Sequence, residues 1–147
     1  MSEGVPHYSA LVAELTRDHR QLLAAYGALK HSAEAGDVAA FKSALGDFKA
    51  LLVPHVVKEA YKVYTYLRQT LRQKRELEVY QRVNAYKSEM GRIGDAAIRF
   101  IDTYSDADDE TIDFPQVRAA LHEIGQLLGD RIRREEADLY PLYKTLH

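Results

Sequence analysis

The chain has 147 residues, no cysteine, and 22 acidic against 20 basic side chains, which gives a formal net charge of -2. This length fits one domain over residues 1–147, with a core large enough to fold without disulfides or structural metals. The near-neutral charge argues against a nucleic-acid binder and a polybasic membrane protein. No segment is apolar for the roughly 18 residues of a membrane span, and the N-terminus lacks a secretory pattern, so we expect a cytoplasmic protein.

The first two helices are predicted from apolar residues that recur every three or four positions. The first helix runs from about Ser9 to Ala35 and ends at Gly36, a residue suited to a left-handed helix end. Asp37 then caps the second helix. Pro54 removes one backbone hydrogen bond and is expected to bend this helix. Its predicted inward residues are Phe41, Leu45, Phe48, Leu52, His55 and Glu59.

The third helix follows the basic run RQTLRQKR, which predicts the second turn, and stops at the polar run SDADDETID. Its predicted inward residues are Val83, Tyr86, Met90, Ile93, Ala97, Phe100 and Tyr104. Pro115 suits the first turn of the fourth helix. The inward line of that helix is Val117, Leu121, Ile124, Leu128, Arg131, Glu135, Asp138 and Leu142.

Four helices of comparable length with short links predict an all-α, up-down-up-down antiparallel four-helix bundle. Residues equally distant from a turn then lie at the same level. With turn centres near residues 36, 72 and 110, His19 and His55 lie about 17 and 19 positions from the first turn. His55 and Met90 lie about 17 and 18 positions from the second, and Met90 and Arg131 about 20 and 21 from the third. One residue of each helix therefore reaches the same level.

Ionisable side chains stand where the inward stripes should stay apolar. They are His19, His55, Glu59, Arg131 and Glu135. Glu59 and Glu135 share a helix face with His55 and Arg131, because residues four positions apart lie on the same face. Burial of such groups is costly unless they pair with one another or with a metal ion. The sequence therefore predicts a buried polar cluster.

Three segments resemble the hemerythrin-like, or HHE cation-binding, domains. They are DHR at 18–20, PHVVKE at 54–59 and RIRREEADLYPL at 131–142. The resemblance spans nearly the whole chain. It implies a four-helix bundle with a non-haem di-iron centre, held by histidines and bridging carboxylates. Domains of this family serve in oxygen binding, in oxygen or iron sensing and in nitrosative-stress repair.

The resemblance also implies which residues hold the metal. His19 resembles the first-helix ligand, His55 and Glu59 the second-helix pair, and Glu135 the last-helix carboxylate. We therefore expect a partial iron site made of these four residues.

Two positions depart from the family pattern. Arg131 stands where the last helix should have a histidine, and Met90 stands where the third helix usually has one. Tyr86 and Glu89 are nearby substitutes at best. A fixed guanidinium repels metal ions, but it could bridge the two carboxylates and leave the cluster at about -1, which one protonated histidine would neutralise. A metal-free core is thus the alternative to an iron site.

These residues predict a cation-binding or sensing module with an incomplete iron site, and not an oxygen carrier. The alternative is a metal-free regulator that uses the bundle as a protein-binding scaffold, by analogy with fold-related anti-sigma regulators. No nucleophile motif is present, so the sequence predicts no enzyme unless a metal supplies the activity. It leaves a protein partner open and does not distinguish a monomer from a homodimer.

Overall fold

A computed structural model describes residues 4–146, with side chains from residue 10 onward. The α-helices of this part are α1 (Gly4–Ala35), α2 (Val38–Glu59), α3 (Thr65–Gln73), α4 (Leu77–Ser105), α5 (Phe114–Arg134) and α6 (Tyr140–Thr145). One turn of π-helix, Ala60–Tyr64, joins α2 to α3 in a continuous second rod, and another, Glu135–Leu139, joins α5 to α6 in a fourth rod.

These four rods form the predicted antiparallel four-helix bundle. The first rod, α1, packs against α2 and α5, and the third rod, α4, packs against α2, α3 and α5. Each rod therefore contacts the rods that precede and follow it around the bundle. Within the described residues, no helix has both the length and the apolarity needed to cross a membrane.

The helix ends follow the local chemistry of the sequence. Gly36 has a φ of 68° and ends α1 in the left-handed conformation, as predicted. The Asp37 side chain accepts a hydrogen bond from the backbone N–H of Ala40 at 3.1 Å and caps α2. Pro54 lies inside α2, and the bend expected there stays a prediction.

The second turn is shorter than the basic run that predicted it. Helix α3 extends to Gln73, so most of residues 68–75 are helical and only the last two of them lie in the turn. Leu67 and Leu71 are fully buried, and their burial keeps this part of the chain helical. Arg75 then adopts a left-handed conformation with a φ of 57° and reverses the chain.

The core consists of two apolar clusters with a polar layer between them. The cluster beside the α1–α2 turn includes Leu29, Phe41 and Phe48, and the cluster at the other end includes Val63 and Leu67. The buried histidines and charged residues of the first, second and fourth rods lie between these two sets. The predicted inward lines are confirmed for the apolar residues of α2 and for Val117, Leu121 and Leu128 of α5, whereas Ile124 is only half-buried.

The predicted inward line of the fourth rod was wrong beyond Glu135. Asp138 is exposed and Leu142 is only half-buried. The residues that are buried there instead are Leu139, Tyr140 and Tyr143. The backbone N–H of Tyr140 bonds to the carbonyl oxygen of Glu135, five residues back, which adds one residue to this turn. The extra residue moves the inward face forward along the sequence.

Gly125 makes room for Tyr26, whose hydroxyl donates to the carbonyl oxygen of Leu121 at 2.6 Å. A Cβ at position 125 would lie 2.1 Å from that hydroxyl oxygen. We expect Gly125→Ala to displace the ring, break this hydrogen bond and lower the free energy of unfolding by about 1–2 kcal/mol in urea titrations.

The matched control is Gly129→Ala, on the same helix. No described atom outside the local helix backbone lies within 4 Å of a Cβ built at position 129, so this change should be neutral or stabilise the helix by up to about 1 kcal/mol. Equal stability of the two variants would contradict the assignment of Gly125.

Candidate metal centre

The ionisable residues that the sequence placed on inward lines meet at one level of the bundle. His19, His55, Glu59, Arg131 and Glu135 are each at most 4% exposed. Single ligand atoms of the two histidines and two glutamates all lie within 4.8 Å of one another. The structure thus brings together the four predicted ligand residues, and their role as metal ligands stays a prediction.

Arg131 lies between the two carboxylates, as expected. Its Nε donates to Glu135 Oε2 at 2.9 Å, and its Nη2 donates to Glu59 Oε1 at 3.1 Å. Burial alone would lower the pKa of Arg131, but the negative charges of Glu135 and Glu59 outweigh burial and raise it. A permanent positive charge therefore links the second rod to the fourth.

His19 bonds to carboxylates through both ring nitrogens. Its Nε2 lies 2.9 Å from Glu135 Oε1, and its Nδ1 lies 2.7 Å from Glu136 Oε2. Burial opposes protonation, but these two hydrogen bonds outweigh it and raise the pKa of His19. Of the two buried histidines, His19 is therefore the one whose protonation its surroundings favour.

His55 has a different environment. Its Nδ1 lies 2.9 Å from Asp18 Oδ2, and Asp18 is also held by Lys58 at 3.0 Å. Burial outweighs the Asp18 hydrogen bond and lowers the pKa of His55, so the ring is neutral. A neutral ring that donates through Nδ1 leaves a lone pair on Nε2. That nitrogen is buried, has no hydrogen-bond partner among the described residues and lies 3.7 Å from Glu59 Oε2.

The pKa values of the two carboxylates are shifted in opposite directions. Burial, followed by the nearby charge of Glu135, raises the pKa of Glu59 well above its usual value. Burial also opposes ionisation of Glu135, but the hydrogen bonds of His19 and Glu59, together with the charge of Arg131, lower its pKa. Glu135 is therefore the stronger acid of this pair, because it has the better charge partners.

Two buried tyrosines join the cluster through the π turns. Tyr140 follows Glu135 by five residues, and its hydroxyl donates to Glu59 Oε2 at 2.5 Å and lies 3.2 Å from His19 Nε2. Tyr64 follows Glu59 by five residues, and its buried hydroxyl has no partner among the described side chains and backbone. Burial raises the pKa of both hydroxyls, so both remain protonated.

Three residues of the third rod were considered at the ligand positions: Met90, Tyr86 and Glu89. Their contacts in the structure differ from those of a metal ligand. Met90 is buried at the level of the cluster, and its carbonyl oxygen accepts a hydrogen bond from Arg131 Nη1 at 3.0 Å. Tyr86 is half-buried, with a hydroxyl that lacks a partner among described residues. Glu89 pairs with Arg134 and takes no part in the cluster.

Sequence reasoning missed Asp18, Tyr64, Glu136 and Tyr140. Asp18 and Glu136 are the sequence neighbours of His19 and Glu135, and their contacts depend on how the rods face one another. A spacing of three or four residues does not identify the tyrosines, because each lies five positions after a buried glutamate. The five-residue spacing was the one available signal, because a π turn contains a hydrogen bond between residues five positions apart.

The donor set fits one metal ion better than two. Two imidazoles and two carboxylates suffice in type and number for one divalent transition-metal ion. Two iron ions would need more donors, and the guanidinium of Arg131 already occupies one side of both carboxylates. The buried Nε2 of His55, which has no partner among the described residues, is the observation that favours binding of a metal ion.

A four-helix bundle with histidines and carboxylates buried at mid-height has the architecture of the metal-binding bundle proteins. The model of the Hemerythrin HHE cation binding domain family matches residues 10–143. The chain therefore belongs to this family. No curated protein and no solved structure matches it.

Removal of the buried guanidinium should strongly destabilise the metal-free protein. We expect Arg131→Ala to lower the free energy of unfolding by roughly 3–5 kcal/mol in chelator-treated samples, because Glu59 and Glu135 lose their buried counter-ion. Arg133→Ala is the control, since its side chain is 70% exposed and should cost no more than about 1 kcal/mol. Equal urea midpoints for the two variants would show that the pair is not buried in solution.

Proposed function

We propose that this protein is a cation-binding module that holds one divalent transition-metal ion and serves in metal storage or sensing. The observation that carries the proposal is the group of four donor atoms within 4.8 Å, from His19, His55, Glu59 and Glu135. These residues lie in the polar layer between two apolar clusters. A cation held there would be shielded from water, which strengthens its attraction to the carboxylates.

The site is prepared for a cation by the contacts around it. Asp18 orients the ring of His55, which is how carboxylates commonly fix the tautomer of a metal-binding histidine. Glu136 has the corresponding contact with His19. Imidazole and carboxylate donors suit Fe²⁺, Mn²⁺ and Zn²⁺, so iron, the metal of the family, is compatible with the donor set.

We do not propose oxygen carriage. Reversible oxygen binding in this family uses a di-iron centre, and this chain offers four donors with a guanidinium beside them. Arg131 carries its charge permanently. A single ion in this place would provide cation binding, and a change of cation occupancy would alter the ion pairs of the cluster.

A metal-free scaffold is the second candidate. The observation that favours it is the pairing of Arg131 with both glutamates, which gives the two buried carboxylates a counter-ion without any metal ion. On this reading the bundle would bind a protein partner through its surface. The two candidates differ in one measurable property, the uptake of metal by the purified protein.

Metal analysis separates these functions. Protein purified without chelator or nickel resin and incubated with Fe²⁺ under argon should retain about one iron per chain, measured by mass spectrometry after desalting. His55→Ala should lose this iron, because it removes the unpartnered Nε2 donor.

His31→Ala is the matched control, since His31 is exposed on the same bundle and should leave the iron content unchanged. A parent protein that binds no iron, manganese or zinc would refute the cation-binding function and leave the scaffold.

A further inference from the structure

The guanidinium of Arg131 has a fitted seat in the bundle core. Its side chain is 5% exposed, and each of its three nitrogens donates to a different residue. Besides the two carboxylates, the third acceptor is the backbone carbonyl oxygen of Met90, 3.0 Å from Nη1. Three acceptors from three rods hold the planar cation in one orientation.

Gly94 provides the space for this seat. It is buried on α4, one turn after Met90, and a Cβ built at position 94 would lie 2.8 Å from Nη1 of Arg131. A side chain at this position would therefore force the guanidinium to move. For Gly91, three residues earlier on the same helix, no described atom outside the local helix backbone lies within 4 Å of its own Cβ position. Of these two glycines of α4, only Gly94 is therefore required by the guanidinium.

The two glutamates each divide their oxygens between opposite sides of the cluster. Glu59 Oε1 and Glu135 Oε2 accept from Arg131. Glu135 Oε1 lies 2.9 Å from His19, and Glu59 Oε2 lies 3.7 Å from His55. Both carboxylates therefore lie between a guanidinium on one side and two imidazoles on the other.

We propose that Gly94 and the Met90 carbonyl form a guanidinium seat, and that Arg131 in this seat replaces one of the two cations that Glu59 and Glu135 could bridge. Gly94 and Arg131 are then the residues that limit the centre to one exogenous ion, bound on the histidine side. The statement about the exogenous ion rests on the proposed function, whereas the seat itself does not.

The first test is chemical rescue in chelator-treated protein. Arg131→Ala removes every side-chain atom beyond Cβ, and ethylguanidinium supplies the missing atoms. Millimolar ethylguanidinium chloride should raise the Tm of Arg131→Ala by several degrees over ethylammonium chloride, because a ligand that binds only the folded state stabilises it. The parent should show no such difference.

Gly94 provides the control for this rescue. A second substitution, Gly94→Ala, should abolish the effect of ethylguanidinium in the Arg131→Ala background, because the added Cβ fills the seat. The matched change Gly91→Ala should preserve the effect. Rescue that is absent, or that survives Gly94→Ala, overturns the proposal.

A second measurement does not need Arg131→Ala to fold. In the parent, the Nε–H of Arg131 is buried and bonded to Glu135, so its proton–nitrogen NMR signal should exchange slowly with water. Gly94→Ala should remove this slow signal and Gly91→Ala should retain it, with Arg131→Lys used to assign it. A slow signal that persists in Gly94→Ala contradicts the seat.

The number of iron ions bound per chain tests whether Arg131 replaces one of two cations. Met90→His combined with Arg131→His exchanges the guanidinium for imidazole donors, and this double variant should bind about two Fe²⁺ per chain against one in the parent. A double variant that binds one ion overturns the replacement. A parent without iron refutes the proposed function alone, because the rescue and the NMR signal are measured without metal.

Discussion

The buried ion pair of Arg131 with Glu59 and Glu135 is the interaction on which the rest of the structure depends. Each of these charges would be costly alone in the core, so none of the three is tolerated without the others. The guanidinium also bonds to Met90 on the third rod. One side chain therefore connects three of the four rods at a single level. This requirement fixes the axial register of these three rods, which apolar packing alone specifies less strictly.

The two π turns have equivalent places in the second and fourth rods. Each follows a buried glutamate directly or begins with it, and each leads to a buried tyrosine five residues further on. The two turns differ in the hydrogen bonds of their tyrosine hydroxyls. The Tyr140 hydroxyl donates to Glu59, whereas the Tyr64 hydroxyl has no partner among the described residues. The α-helical register would direct neither tyrosine toward the cluster. The π turn of the fourth rod thus places a phenol hydroxyl on the carboxylate of Glu59.

A guanidinium and a metal ion share a positive charge but little other chemistry. Arg131 provides directional donors to fixed oxygens and has no position for a further ligand. On the proposal made above, the bundle keeps two buried carboxylates and builds one cation into the chain. Metal exchange would then concern only the histidine side, where His55 Nε2 lacks a partner among the described residues. Within this one cluster, Arg131 would then provide structural support and the histidine side would bind the cation.

The sequence by itself determined the four helical rods, the turn residues Gly36 and Asp37, and the inward position of the charged side chains. Those features follow from local periodicity and from the chemistry of single residues. The tertiary structure decided where the π turns form and which tyrosines they bury. An extra residue in a helix turn is stabilised by its packing in the folded protein, and it does not change the composition of the sequence. The fit of Gly94 to Arg131 depends on the approach of two rods that are distant in sequence. Local sequence patterns do not predict that approach.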